Sequence, residues 1–250
     1  MTRARLGAAA LFLSMLLALP AGAHAAGPMD WSAPVTLDPR ALHFEGGDEI
    51  ACPSALFCVA VDNEGDLLLS EDPDGGADGW QTPRLDTKPG DRFVDISCPS
   101  TSFCAALTRG GAIFTSSEPM AAPDGWRRVQ IGGADEMSTI SCAGASLCVA
   151  GDRSGDGTGH LFVSSEPSGG PDAWEKVSVP GALGFQGISC PSISFCAAVD
   201  AGDHDGVNGW ESEIFTSTDP TGGASAWQGQ GVTAAGISLG ISCSSSSMCV

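Results

Sequence analysis

The stretch I-S-C-P-S-T-S-F-C, residues 96–104, decides how this chain is read. It recurs as I-S-C-P-S-I-S-F-C at 188–196, and more loosely as I-A-C-P-S-A-L-F-C at 50–58, I-S-C-A-G-A-S-L-C at 140–148 and I-S-C-S-S-S-S-M-C at 241–249. Each copy places two cysteines six positions apart, an isoleucine two before the first and a large apolar residue before the second. All 10 cysteines are thereby used, as Cys52/Cys58, Cys98/Cys104, Cys142/Cys148, Cys190/Cys196 and Cys243/Cys249. Cysteines flanking a five-residue connection can face each other across a hairpin, close enough to bond. Zinc pairs usually show tighter spacing, of two to four residues. The cysteines therefore read as five local disulfides, and no metal site is assigned.

A second marker follows each of the first four pairs. Ser70, Ser116, Ser164 and Ser217 open S-x-[DE]-P, each ten residues before a tryptophan: Trp80, Trp126, Trp174 and Trp227. The cysteine pairs start 46, 44, 48 and 53 residues apart. A fixed period in this range signals a repeat architecture. Within each unit four short strands are expected: one ending at the first cysteine (94–98), one starting at the second (103–107), one before the marker serine (67–69, 113–115, 161–163, 214–216) and one from the tryptophan (126–131). Gly, Pro, Asp and Ser clusters separate them, and no sustained 3.6-residue apolar period predicts a helix. Four strands per unit predict an all-β chain, a β-propeller of four-stranded blades with one disulfide per repeat. The units fall near residues 30–80, 81–126, 127–174, 175–227 and, in part, 228–250.

The segment from marker serine to tryptophan resembles the Asp-box (BNR) repeat of sialidase-like propellers, S-x-D-x-G-x-x-W. Ser70, Asp72, Gly75 and Trp80 match most clearly, then Ser217, Asp219, Gly222 and Trp227. Glu118 and Glu166 depart from it, Ser-to-Trp is longer than in the family, and prolines are inserted at 73, 119, 167 and 220. The repeats are also similar to bacterial secreted proteins built on S-C-P-S-x-x-F-C. The resemblance implies a turn between the third and fourth strands of a blade. It implies no activity, because Asp boxes lie away from active sites in their family. Asp72 and its counterparts are expected to hold that turn by side-chain-to-backbone bonds.

The N-terminus carries Arg3 and Arg5, an apolar run over 6–19, Pro20, and a small-residue site at Ala23-His24-Ala25. These are the parts of a secretory signal peptide, so residues 1–25 are expected to be removed and 26–250 exported, with no membrane insertion afterwards. The net charge is −19, and the two leader arginines make the mature chain more acidic still. Such a field repels phosphate backbones and anionic lipid, which disfavours nucleic-acid and membrane-surface roles. The chain opens on a lone fourth-strand segment, 30–35, and ends just inside a second strand. A truncated propeller is the simplest expectation from that.

Distances from second cysteine to marker serine are 12, 12, 16 and 21, so insertions gather in the connection between second and third strands. Ligands of repeat folds often sit where insertions gather. The longest loop holds Asp203, His204, Asp205, Asn208, Trp210 and Glu211: oxygen ligands for a hard cation such as Ca²⁺, and an indole face for a sugar or apolar group. A solvated acidic loop is the plainer and preferred reading. Asp62, Glu64 and Asp66 read as a hairpin turn. The G-x-S-x-G match at 236–240 lacks the strand–turn–helix setting of a nucleophile elbow. No catalytic residues are assigned. The expected function is a secreted, monomeric, non-catalytic binding or scaffold module for a glycan or protein. The alternative is a sialidase-like or other extracellular glycoside hydrolase. Against the sialidase form, there is no tyrosine for its nucleophile and no arginine after Arg153 for its triad.

Overall fold

Residues 103–108 and 112–116 are buried without a break, so these strands have no solvent face. A strand buried on both sides needs a sheet or its equivalent against each face. The fold supplies this by standing small sheets side by side. The computed structural model describes residues 34, 36–37, 49–85, 87–88, 91–134, 136–153, 158–200, 212–232 and 240–250. Nearly all lie in the compact unit Val35–Val250.

Four four-stranded antiparallel meanders follow one another. The first comprises β1 (Glu49–Ser54), β2 (Phe57–Val61), β3 (Leu67–Ser70) and β4 (Trp80–Gln81). The second comprises β5 (Phe93–Ser100), β6 (Phe103–Thr108), β7 (Ala112–Ser116) and β8 (Arg127–Gln130). The third comprises β9 (Met137–Gly144), β10 (Leu147–Asp152), β11 (His160–Ser164) and β12 (Glu175–Ser178). The fourth comprises β13 (Phe185–Ser192), β14 (Phe195–Asp200), β15 (Ser212–Ser217) and β16 (Gln228–Val232). A hairpin, β17 (Cys243–Ser245) and β18 (Met248–Cys249), begins a fifth. The first strands β1, β5, β9, β13 and β17 are neighbours in that order, and the sheets radiate from them as propeller blades. Among the described residues there is no α-helix. Four short 3₁₀ turns lie between third and fourth strands.

The expected first, second and third strands are present with longer bounds, whereas the fourth, expected over 126–131, is the shorter Arg127–Gln130. The first strand runs past its cysteine, to Ser100 in the second blade, because the turn begins only at Thr101. The second strand starts at Phe103 as expected and runs one residue further, to Thr108; in the first blade it starts at the matching Phe57.

All five disulfides form as paired in the sequence: Cys52–Cys58, Cys98–Cys104, Cys142–Cys148, Cys190–Cys196 and Cys243–Cys249, with Cα–Cα distances of 4.0–4.2 Å. In every unit the two cysteines face each other across the hairpin of the first and second strands, as expected. Cys142 lies directly opposite Cys148, and Cys243 opposite Cys249. The ladder is irregular beside the bridge in every unit, between Ala51 and Ser54, Ser97 and Ser100, Leu147 and Cys148, Ser189 and Ser192, and Cys243 and Ser245. In the units of Cys58, Cys104 and Cys196 the first cysteine precedes a proline, Pro53, Pro99 or Pro191, which has no N–H to give the ladder. Ala143 and Ser244 stand there in the other two. The Cα atoms come equally close in all five units, so the bridge forms with or without the proline. On its other side the second cysteine lies opposite the marker serine in all four blades: Cys58 with Ser70, Cys104 with Ser116, Cys148 with Ser164 and Cys196 with Ser217.

The core lies between blades rather than within them. One face of each blade presents branched aliphatics, such as Val149, Leu161 and Val163. The facing surface of the next blade presents its Ile, disulfide, Phe and Trp, here Ile188, Cys190, Cys196, Phe215 and Trp227. The same pairing joins the first blade to the second through Val59, Leu67 and Leu69 against Ile96, Cys104, Phe114 and Trp126. Full burial of such aliphatic and aromatic side chains stabilises by about 1.5–3 kcal/mol each. Ile96, Ile140 and Ile188 are at most 7% exposed, whereas Ile50 is 57% exposed because no described blade precedes β1.

A polar contact recurs at the three boundaries that follow the second blade. The Cys142 N–H donates to Ser97 Oγ at 3.0 Å, the Cys190 N–H to Ser141 Oγ at 3.0 Å, and the Cys243 N–H to Ser189 Oγ at 2.9 Å. The serine of I-S-C is thus a clip between consecutive first strands. In the first unit its place is taken by Ala51, which has no hydroxyl.

Candidate functional site

Antiparallel order puts the first-to-second and third-to-fourth connections at one end of each blade, and the second-to-third connection at the other. Each end offers a different chemistry.

At the second-to-third end, the last residue of the second strand or the one after it carries a buried side-chain oxygen: Asp62, Thr108, Asp152 and Asp200, all at most 3% exposed. In three blades that oxygen accepts an N–H at the start of the third strand. The bonds are Asp66 N–H to Asp62 Oδ1 at 2.8 Å, Ala112 N–H to Thr108 Oγ1 at 2.9 Å and His160 N–H to Asp152 Oδ1 at 2.8 Å. Asp200 Oδ2 accepts from Leu183 N–H at 2.6 Å. The Asp62–Asp66 segment is a hairpin turn, with Asp62 Oδ1 also accepting from Glu64 N–H at 2.9 Å. Asp152 and His160 form a buried pair, Oδ2 to Nδ1 at 2.9 Å. Sequence reading passes over this pair because eight residues and a loop separate its members. Both carboxylate oxygens are committed to closing the connection, so the pair is a latch. Asp203, His204, Asp205, Asn208, Trp210 and Glu211 lie outside the described residues. Their loop leaves from Asp200 and returns at Ser212, at this same end.

Between blades two and three, Asp95 is half-buried. Its Oδ2 accepts from Ile140 N–H at 2.6 Å and its Oδ1 from Ile96 N–H at 2.7 Å. Burial pushes its pKa up to about 7, with the Glu49 charge adding to the rise and the Ile140 and Ile96 N–H groups opposing it.

At the opposite end, the marker serines organise the third-to-fourth connections. Ser70, Ser116, Ser164 and Ser217 each accept, through Oγ, the N–H two residues on, at 3.0–3.1 Å. The acidic position contributes its backbone carbonyl, which accepts from residues 75, 121, 169 and 222 at 2.7–2.9 Å. The turn bond expected of Asp72, Glu118, Glu166 and Asp219 is thus made by the serine hydroxyl. Asp72 Oδ2 instead lies over Gly75, and Asp219 Oδ2 over Gly222, where a Cβ would come within 2.6 Å. Trp126, Trp174 and Trp227 close the turns as buried residues, and Trp126 Nε1 donates to the Pro119 carbonyl at 3.0 Å. Trp80 is half-buried.

A groove of about 550 Å³ opens at this end, between blades one and two. Leu56 and Phe57 of the first blade face Pro119, Met120 and Ala121 of the second across it. Glu71, Glu118 and the hydroxyls of Ser54, Thr101, Ser102 and Ser117 complete the lining. No basic side chain contributes.

Among the described residues, no group of three or more His, Cys, Asp or Glu is placed to hold a metal ion, and no helix is long and apolar enough to cross a membrane. The five disulfides suit an oxidising environment.

No family model matches the chain, and no curated protein matches it. Solved structures do. YCF48 bound to a D1 peptide matches at a TM-score of 0.54 and 12% identity, over 78% of this chain and 57% of that one. YCF48 from Cyanidioschyzon merolae matches at 0.50 and 13%, over 78% and 58%. U3-55K matches at 0.51 and 10%, over 80% and 57%. The chain thus spans less than three fifths of the length of each of these structures. At such identities the likeness concerns the fold, and it agrees with the blades described above: the chain is a β-propeller repeat protein.

Proposed function

We propose that this chain is an exported, non-catalytic propeller module that binds a protein or glycan through the loops at its blade ends. Export rests on residues 1–25, and five disulfides are consistent with it. The observation that carries the reading is the contrast between frame and loops. Isoleucine, cysteine pair, marker serine and tryptophan repeat in place, while the second-to-third connection lengthens from 12 to 21 residues between cysteine and serine. The buried oxygens of Asp62, Thr108 and Asp152 close their own turns, so the frame holds them in structural work. Loops on a rigid frame are where such folds put recognition. YCF48, a structural neighbour, is itself seen bound to a peptide.

The test is a glycan array and a peptide array probed with the exported protein, alongside a panel of fluorogenic glycosides. Saturable binding on one array without glycoside turnover supports the reading. Turnover abolished by substitution of a single carboxylate would replace it with the hydrolase.

A further inference from the structure

We propose that the groove between the first two blades binds an extended peptide that carries an apolar side chain beside a lysine or arginine. This site lies at the opposite end of the blades from the long loops and stands apart from any ligand they take.

The repeats provide an internal control for what the frame requires. The position of Leu56 is serine in every other unit: Ser102, Ser146, Ser194 and Ser247. The position of Met120 is Asp74, Ser168 and Thr221 elsewhere, and that of Ala121 is Gly75, Gly169 and Gly222. Three polar or minimal residues have thus become apolar. Leu56 is more than sixty residues from the other two in sequence, yet all three line one groove. The turn chemistry does not ask for this, because the other blades close the same connections without it.

The backbone shows how the second blade does it. In blades one, three and four the 3₁₀ turn sits late in the loop, at Gly76–Gly79, Pro171–Ala173 and Ala224–Ala226. Gly76, Gly170 and Gly223 take positive φ there, of 69°, 113° and 74°. Alanine is strained in that region. Ala122 stands at the same position in the second blade, with φ −70°, and the 3₁₀ turn moves forward to Pro119–Ala121. That shift brings Met120 and Ala121 to the groove, against the third strand of the first blade.

Leu56 is 71% exposed, the most exposed large apolar side chain among the described residues of the four complete blades. A leucine so placed at a rigid turn gains nothing from the fold and has surface to offer a partner. Met120 is half-buried on the core between the two blades, and methionine adapts its shape to varied apolar partners. The lining offers no exposed aromatic face for a sugar to stack on, since Phe57 is 5% exposed. Hydroxyls on the rim suit a peptide backbone. Glu71 and Glu118, in a chain of net charge −19, select a cation beside the apolar anchor. The groove volume falls within the usual range for ligand pockets, roughly 300–1,000 Å³.

The experiment uses the exported protein and three fluorescein-labelled heptapeptide pools, read by fluorescence anisotropy. One pool places Leu or Phe next to Lys or Arg, a second places the same residues next to Asp or Glu, and a third keeps the cation but replaces the apolar residue by Ser. The expected result is saturable binding of the first pool only. Leu56→Ser, which installs the residue of the other repeats, should weaken it at least tenfold with an unchanged melting temperature. Glu71→Gln with Glu118→Gln should weaken it and flatten its salt dependence. Equal binding of all pools, or first-pool affinity unmoved by Leu56→Ser, overturns the proposal. So does a concentration-dependent dimer in sedimentation that Leu56→Ser abolishes, because it assigns the groove to a second copy of this chain. A ligand from the arrays that still binds Leu56→Ser fully, with no pool binding, would leave the binding-module reading standing and remove only this site.

Discussion

The backbone N–H of Cys142 donates to the hydroxyl of Ser97 at 3.0 Å, across the boundary between the second and third blades. One residue of the repeated motif thereby joins consecutive blades, while its neighbouring cysteine closes its own blade. Sulfur works within the unit and oxygen between units.

Removing one clip should therefore loosen a boundary without disturbing a blade. Ser141→Ala is expected to destabilise by about 1 kcal/mol, the usual net worth of such a bond. Ala51→Ser supplies the missing hydroxyl of the first unit and is expected to stabilise by up to about 1 kcal/mol. Urea denaturation of both variants checks the two signs.

Stability should fall as pH rises from the mildly acidic range toward neutrality. Asp95 has a folded pKa of about 7, against an ordinary 3.8, so the folded chain holds this proton more tightly than the unfolded one. Its contribution is full below pH 3.8 and is lost as pH rises through 7. Asp95→Asn should flatten the slope of stability over that window. Urea midpoints at several pH values between about 4 and 8 measure it.

Trp174 is 7% exposed and belongs to the core between blades two and three, with Phe103, Leu107, Ile140 and Phe162. Trp174→Ala is expected to cost about 3–5 kcal/mol. The half-buried Trp80 should cost less on the same change, which thermal unfolding of the pair would rank.

Much of this was legible in the chain because the repeat writes the same contacts several times. Paired cysteines, the marker serine and the tryptophan located strands, turns and disulfides. The irregular ladder beside each disulfide was not legible, because it occurs with Pro99 and with Ala143 alike. The serine of I-S-C looked like ordinary alternation beside a cysteine, and its role needs the next blade to be seen. Asp95 stands where the units vary, with Glu49, Thr139, Gly187 and Gly240 at the matching positions, so no pattern exposes it. The turn bond was expected from the acidic residue, but a hydroxyl two residues earlier reaches the N–H with less chain to order. Leu56 and Met120 lie far apart in sequence and meet only once blades one and two are adjacent. The loop carrying Asp203 to Glu211 lies outside the described residues and stays an expectation.

The central claim is that each unit of about fifty residues is one blade closed by its own disulfide. Peptide mapping of the non-reduced protein by mass spectrometry puts this to the test. Five linked pairs are expected, each joining cysteines six positions apart, and no free thiol. A bond joining cysteines of different units would contradict it.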